Sequence, residues 1–245
     1  MPNNSQNSLM EIVRRLTGVE KWQANYEAVN KRPVPYTGWI ETDEWLRVTD
    51  YSFTTPADTT VTYEKGTKIA YFLPAGVSWE YGVVISSTYN AGTELTTVTL
   101  ATNTDYAMTD TPVRMMFSRI EYPYSWPDWF NYLPTYGDAT MTFTGVTTTT
   151  AKFRVSCQTV MCEVNATGTT GGVATTSIAI STPITANAFG TPETGATRDA
   201  AAGLVVLGQA LLASAATFHV RKADGTNYGL GAGRIARLVA IYQMV

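Results

Sequence analysis

The chain has 245 residues, 44% of them apolar and only 15% charged, with a formal net charge of −3. That length allows one large or two ordinary domains with a real core, and the slight acidity argues against a general nucleic-acid binder, which needs a basic face to displace counterions from phosphate. The missing charge is replaced mainly by 40 threonines, which are β-branched and coat a sheet's wet face without charge, so the composition predicts a mainly β protein rather than a helical bundle or rod.

Residues 1–35 read as a short N-terminal helix followed by a linker. Ser8 with Glu11 and Thr17 with Glu20 are capping boxes. Leu9, Ile12, Leu16 and Val19 follow heptad-like spacing and form one apolar stripe. So short a helix with a single stripe is not stable alone. The stripe is therefore either an oligomer seam between identical chains or a face docked on the chain's own body. Pro33 and Pro35 end the helix and stiffen the linker. The opening MPNNSQNS has neither the basic nor the apolar region of a signal peptide, so assembly in a cytoplasm is expected.

Residues 36–122 read as a small antiparallel β-barrel or sandwich. This segment is acidic, with five basic and eleven acidic groups, and the expected result is a solvated acidic surface. Strands are predicted over Glu44–Tyr51, Thr59–Tyr63, Lys68–Leu73, Ser78–Ser87, Thr96–Ala101 and Val113–Ser118, separated by turn signals such as Lys65-Gly66 and Asn90-Ala91-Gly92. An aromatic and proline-rich hinge follows over 123–136. A flexible linker would be rich in Gly and Ser; this one predicts packing, with Trp126, Trp129, Phe130 and Tyr132 forming an inter-domain aromatic cluster.

Residues 137–245 read as a jelly-roll-like β-sandwich. Met141–Thr144, Ala151–Val164 (one strand or two), Ser177–Ser181, Ala202–Leu207, Leu211–Val220 and Ile235–Val245 supply the strands. Asp224-Gly225 signals a hairpin between Val220 and Tyr228. The last strand is apolar on both faces and is expected at the centre of its sheet. Asn187–Ala202, rich in Ala, Thr and Gly, is assigned no strand before Ala202. The loops Thr167–Thr176 and Asn227–Gly233 are expected at the end of the sandwich.

Chemical motifs are sparse, and no cofactor is expected. Cys157 and Cys162 with a single histidine are too few for a tetrahedral zinc site. Both thiols are expected to be reduced and at least half-buried, on opposite faces of one strand. His219 reads as a satisfied sheet histidine, and Gly229–Gly233 as a loop rather than a phosphate cradle. The apolar run 203–218 is too short to span a membrane and contains Gly208, Gln209 and Ser214. Glu121, Asp128 and Asp138 lie near Trp126, Trp129, Tyr132 and Tyr136, the mixture a glycan depolymerase would need, and equally that of an interface core with a polar rim.

Several stretches resemble structural proteins of tailed bacteriophages. They are Trp45 before an alternating run ending in Phe53, then Tyr63-Glu64-Lys65-Gly66-Thr67-Lys68-Ile69, Tyr81-Gly82-Val83-Val84, Thr97-Val98-Thr99-Leu100, Asn103-Thr104-Asp105-Tyr106 and Pro127–Tyr132. The C-terminal part is similar to the jelly-roll domains of phage fibres, with its Arg221–Thr226 hairpin and aromatic-ending last strand. The resemblance implies a non-enzymatic virion component, tail-fibre-like and homotrimeric, that contacts other tail or capsid proteins. It also implies exposure of the C-terminal domain to a host-surface glycan or protein. A capsid decoration protein or head fibre is the alternative within the same class. Neither nucleic-acid binding nor membrane insertion is expected.

Overall fold

The computed structural model describes residues 37–42, 45–187, 193–199 and 204–244, and among them the fold is mainly β, built of antiparallel sheets. The expected N-terminal helix and its stripe of Leu9, Ile12, Leu16 and Val19 lie outside the described residues.

Seven strands lie between residues 40 and 118: β1 (Ile40–Thr42), β2 (Leu46–Thr49), β3 (Ser52–Pro56), β4 (Lys68–Phe72), β5 (Glu80–Asn90), β6 (Leu95–Leu100) and β7 (Arg114–Ser118). They pair in the order β1-β7-β4-β5-β6-β3-β2. Strand β5 changes partner midway, since Glu80–Val83 pair with β4 and Val84–Asn90 with β6, with a register irregularity between Val84 and Ser86. Bulges bend and twist a strand, and here both halves of the sheet contribute to one core: Phe53, Ile69, Tyr71, Val84, Val98 and Leu100. The expected barrel does not close. The sheet ends at β1 and β2, strands of three and four residues that each pair on one side only.

Two local expectations also fail here. Thr59–Tyr63 is a turn, not a strand: the amides of Thr62 and Tyr63 both donate to the Thr59 carbonyl. Asp58 organises it by accepting the Thr60 amide at 3.1 Å, the usual Asx competition with extended structure. The predicted strand over Glu44–Tyr51 is shorter and turns at Asp50 and Tyr51, where Arg47 pairs with Asp50 at 2.5 Å.

Trp45 anchors this core. Its ring stacks on Phe53 at 4.0 Å between centroids, and its Nε1 donates to the Tyr63 hydroxyl at 2.7 Å. Tyr63→Phe leaves that buried indole N–H without a partner. It is expected to lower stability by about 1–3 kcal/mol in urea unfolding followed by tryptophan fluorescence; an unchanged midpoint would contradict this packing.

Eight strands follow: β8 (Phe130–Asn131), β9 (Met141–Ser156), β10 (Thr159–Gly172), β11 (Ser177–Ser181), β12 (Glu193–Asp199), β13 (Leu204–Ser214), β14 (Thr217–Lys222) and β15 (Gly231–Gln243). Their order is β11-β14-β13-β12-β15-β10-β9-β8. Alternation sets the inner face. Val160, Cys162, Val164 and Ala166 of β10 and Ala236, Leu238, Ala240 and Tyr242 of β15 are buried in one core with Phe153, Ile178 and Phe218. After β8 the chain crosses to the opposite edge, where Tyr136 bridges Ile180, Ser181 donates to the Thr135 carbonyl and Gly137 donates to the Ala179 carbonyl. The sheet thus curves about its core without a ladder closing it.

Strand β15 is central, between β12 and β10, as its composition predicts. Its two faces nevertheless differ, with Val239 and Ile241 left 40% and 51% exposed. The segment Asn187–Ala202 hides β12, which sits inside the sheet between β13 and β15. Strand β13 runs through Gly208–Ala210, where a break was expected, and the chain turns instead at Ala215–Ala216. Strand β10 extends through Thr167–Gly172, taking more than half of the expected loop Thr167–Thr176. Asp224-Gly225 does turn, with Gly225 donating to the Lys222 carbonyl. The strands on either side are not a hairpin pair, since β14 pairs with β11 and β13 while β15 pairs with β10 and β12.

Candidate functional site

Of the four rings singled out at the hinge, the structure brings Trp126, Phe130 and Tyr132 together and leaves Trp129 apart. Trp126 lies 6.0 Å from Trp39, 5.9 Å from Tyr81 and 5.3 Å from Phe130, centroid to centroid. Phe130 stacks on Phe153 at 5.5 Å and meets Tyr106 edge-on at 5.8 Å. Tyr132 packs against Phe153 at 6.0 Å. The rings thus form a continuous path from the first sheet to the second. A polar clamp fixes its rim: the Asp105 carboxylate accepts the Asn131 amide at 2.5 Å and its side-chain Nδ2 at 2.7 Å. Trp129 is not part of this cluster. It stands on the outer face of the second sheet, with Lys152 Nζ 4.6 Å and the Arg154 guanidinium 5.2 Å from its ring.

That outer face has a definite pattern. Ile241 pairs with Met161 and Val239 with Glu163 across β15 and β10, while Arg154 and Lys152 follow on β9. Lys152 and Glu163 form an ion pair at 3.1 Å. Met161, Val239 and Ile241 therefore make an apolar patch bordered by Glu163, Lys152 and Arg154, with Trp129 beyond those charges.

A pocket of about 260 Å3 opens beside the hinge, lined by Trp39, Trp79, Tyr81, Met116, Tyr124 and Ser125. Trp39 forms a fixed wall, 5% exposed, its Nε1 donating to the Tyr124 carbonyl at 2.8 Å. The Arg114 guanidinium lies 5.2 Å from the Trp79 ring and pairs with Glu41 at 2.5 Å. Local sequence carries no sign of this pocket because its rings come from β5, from the hinge and from the segments before β1 and β5.

A second cavity, of about 240 Å3, lies where the turn before β4 meets the β9–β10 turn. Lys65, Thr67 and Lys68 face Arg119, Glu121 and Cys157 there. Lys68 is only 3% exposed; burial pulls its ammonium below the ordinary lysine range, while the Cys157 thiol and the Glu121 carboxylate partly oppose this.

Of the two cysteines, Cys157 departs from expectation. Cys162 is buried, its Sγ 3.2 Å from the Tyr132 hydroxyl, and burial pushes the thiol up to about 12. Cys157 is exposed rather than half-buried, because it occupies the tight β9–β10 turn with φ 53°. A neutral alkylating reagent is expected to modify one thiol per native chain, at Cys157, and the second only after denaturation; peptide mapping showing native modification of Cys162 would contradict the packing.

The acids near the hinge do not converge. Asp138 caps a turn, and the amides of Met141 and Thr140 hold its carboxyl below the usual range. Glu121 accepts a hydrogen bond from Ser156 Oγ at the second cavity, and Asp128 is exposed. His219 Nδ1 lies 3.3 Å from Ser177 Oγ on the neighbouring strand, and burial followed by the Arg221 charge lowers its basicity. Among the described residues no three His, Cys, Asp or Glu side chains gather as a metal site would require. Comparison with known proteins found no matching family model, curated protein or solved structure.

Proposed function

We propose that this chain is a non-enzymatic structural protein of a tailed-bacteriophage virion. In this reading it is a tail-fibre-like homotrimer attached through its N-terminal region, assembled in the host cytoplasm with other virion proteins. The curved eight-stranded sheet is read as a jelly-roll-like sandwich exposed to the host surface. One observation carries the assembly: the outer face of β15. An apolar centre of Val239, Ile241 and Met161 with a rim of Lys152, Arg154 and Glu163 has the anatomy of a protein interface, and a second copy of this chain is its proposed occupant.

The aromatic pocket supports a host-surface glycan as ligand. Indole and phenol rings accept the apolar face of a pyranose, while the hydroxyls of Tyr81, Tyr124 and Ser125 can bond its oxygens. The guanidinium already placed against Trp79 disfavours a cationic ligand.

Sedimentation of the full chain tests the assembly. A trimer that Ile241→Glu dissociates is expected, because three carboxylates would be buried together. A monomeric wild type overturns the trimer. Dissociation by Ile12→Asp, with Ile241→Glu silent, moves the seam to the N-terminal stripe. Electron microscopy of the particle, with the C-terminus labelled, tests the location. Label at the tail is expected; label over the shell makes the protein a head decoration or head fibre; no label overturns the virion role and revives a depolymerase using the acids near Asp128.

A further inference from the structure

We propose that the second cavity, where the turn before β4 meets the β9–β10 turn, is a binding site for a small oxyanion ligand, a carboxylate or phosphate, held by the Lys68 ammonium and the Thr67 hydroxyl. The inference stands on this cavity alone and is independent of the virion reading.

Two buried polar groups point to it. Thr67 and Lys68 are each 3% exposed, and both line the cavity. Thr67 Oγ1 has no hydrogen-bond partner. Among the described residues no carboxylate lies within ion-pair distance of Lys68, whose ammonium stands 5.6 Å from the Trp126 ring centroid and feels the Glu121 charge only from farther than an ion pair. Buried charges and hydroxyls are ordinarily paired, because leaving them unpaired forfeits their hydration without return.

The wall's own carboxylates do not fill this role. Glu64 leans to Arg119 at 3.8 Å, and Glu121 accepts from Ser156. Lys65, Lys68 and Arg119 outnumber Glu64 and Glu121, so the lining is net positive. An oxyanion supplies what is missing: acceptor oxygens for the ammonium and the hydroxyl, and a negative charge at short range. The cavity, of about 240 Å3, has room for an ion of this kind. Because Lys68 belongs to the first sheet and Cys157 to the β9–β10 turn of the second, a bound ligand would brace the two against each other.

Cys157 lines the same cavity and is the exposed thiol, so it is a built-in reporter. The rate of its alkylation by iodoacetamide, a neutral reagent, is measured on the full chain at constant ionic strength, titrating inorganic phosphate in one arm and citrate in the other. Saturable slowing is expected in at least one arm, which also identifies the preferred oxyanion. Lys68→Met is expected to weaken that protection at least about tenfold by removing a charge-assisted hydrogen bond. Methionine fills the space without a charge, so this variant is expected to fold. Thr67→Val, which keeps the shape and removes the hydroxyl, provides an independent check and is expected to weaken protection more mildly. Slowing that is absent in both arms, or that is equal in wild type and both variants, overturns the proposal.

Discussion

Phe153→Ala is expected to lower the unfolding free energy by about 3–5 kcal/mol, the range for removing a fully buried phenylalanine. Phe153 is completely buried. Its ring stacks on Phe130 and meets Tyr132, and its backbone pairs with both Phe130 and Cys162. The cavity left by alanine would open directly beneath the hinge, where Phe130, Tyr132 and the paired strands β8 and β10 hold the walls apart and resist collapse. Phe130 in turn supports Trp126 and Tyr106, so the loss should propagate to the contact between the sheets. Urea unfolding followed by tryptophan fluorescence measures this, with exposed Thr147→Ala as the control, expected within about 0.5 kcal/mol of wild type. A loss below about 1 kcal/mol would mean that the hinge aromatics are not a rigid bridge.

Gly66→Ala is expected to destabilise the protein by at least about 2 kcal/mol, from backbone strain and collision together. Gly66 has φ +88°, and a Cβ there would lie 2.5 Å from the Cys157 carbonyl oxygen. The obstacle is backbone and cannot rotate away, so the turn before β4 and the β9–β10 turn must separate. Gly225→Ala provides the comparison: its φ is +68°, but a Cβ there meets nothing within 4 Å. Its loss should be only the left-handed strain, about 1 kcal/mol. The difference between the two variants isolates the close approach of the turns. Faster alkylation of Cys157 in Gly66→Ala would accompany it, and equal effects of the two substitutions would contradict that contact.

Strands with strong β-branched or apolar alternation were legible in the sequence. Lys68–Leu73 and Ser177–Ser181 appear within a residue of the strands observed. Strand β12 was not legible, because Glu-Thr-Gly-Ala-Thr-Arg-Asp has no apolar alternation and is extended by its neighbours β13 and β15. Thr59–Tyr63 erred in the opposite direction, since β-branched residues there yield to the Asp58 cap. Density of rings alone points to a hinge cluster, and the structure brings Trp126, Phe130 and Tyr132 together but leaves Trp129 apart. Ring composition gives no direction, and Trp129 points to the opposite surface.

The sequence by itself determined the chemical class of this protein: a threonine-rich, weakly charged, mainly β chain with an aromatic hinge, because side-chain shape and period-two alternation act locally. The tertiary structure alone decided which residues share a surface. Trp39, Trp79 and Tyr81 meet in one pocket, Thr67 and Lys68 face Cys157 across 89 residues of sequence or more, and Val239 and Ile241 remain uncovered on a central strand. These placements depend on strand order and on the bend of β5, and both are set by long-range hydrogen-bond pairing that no local window of residues contains.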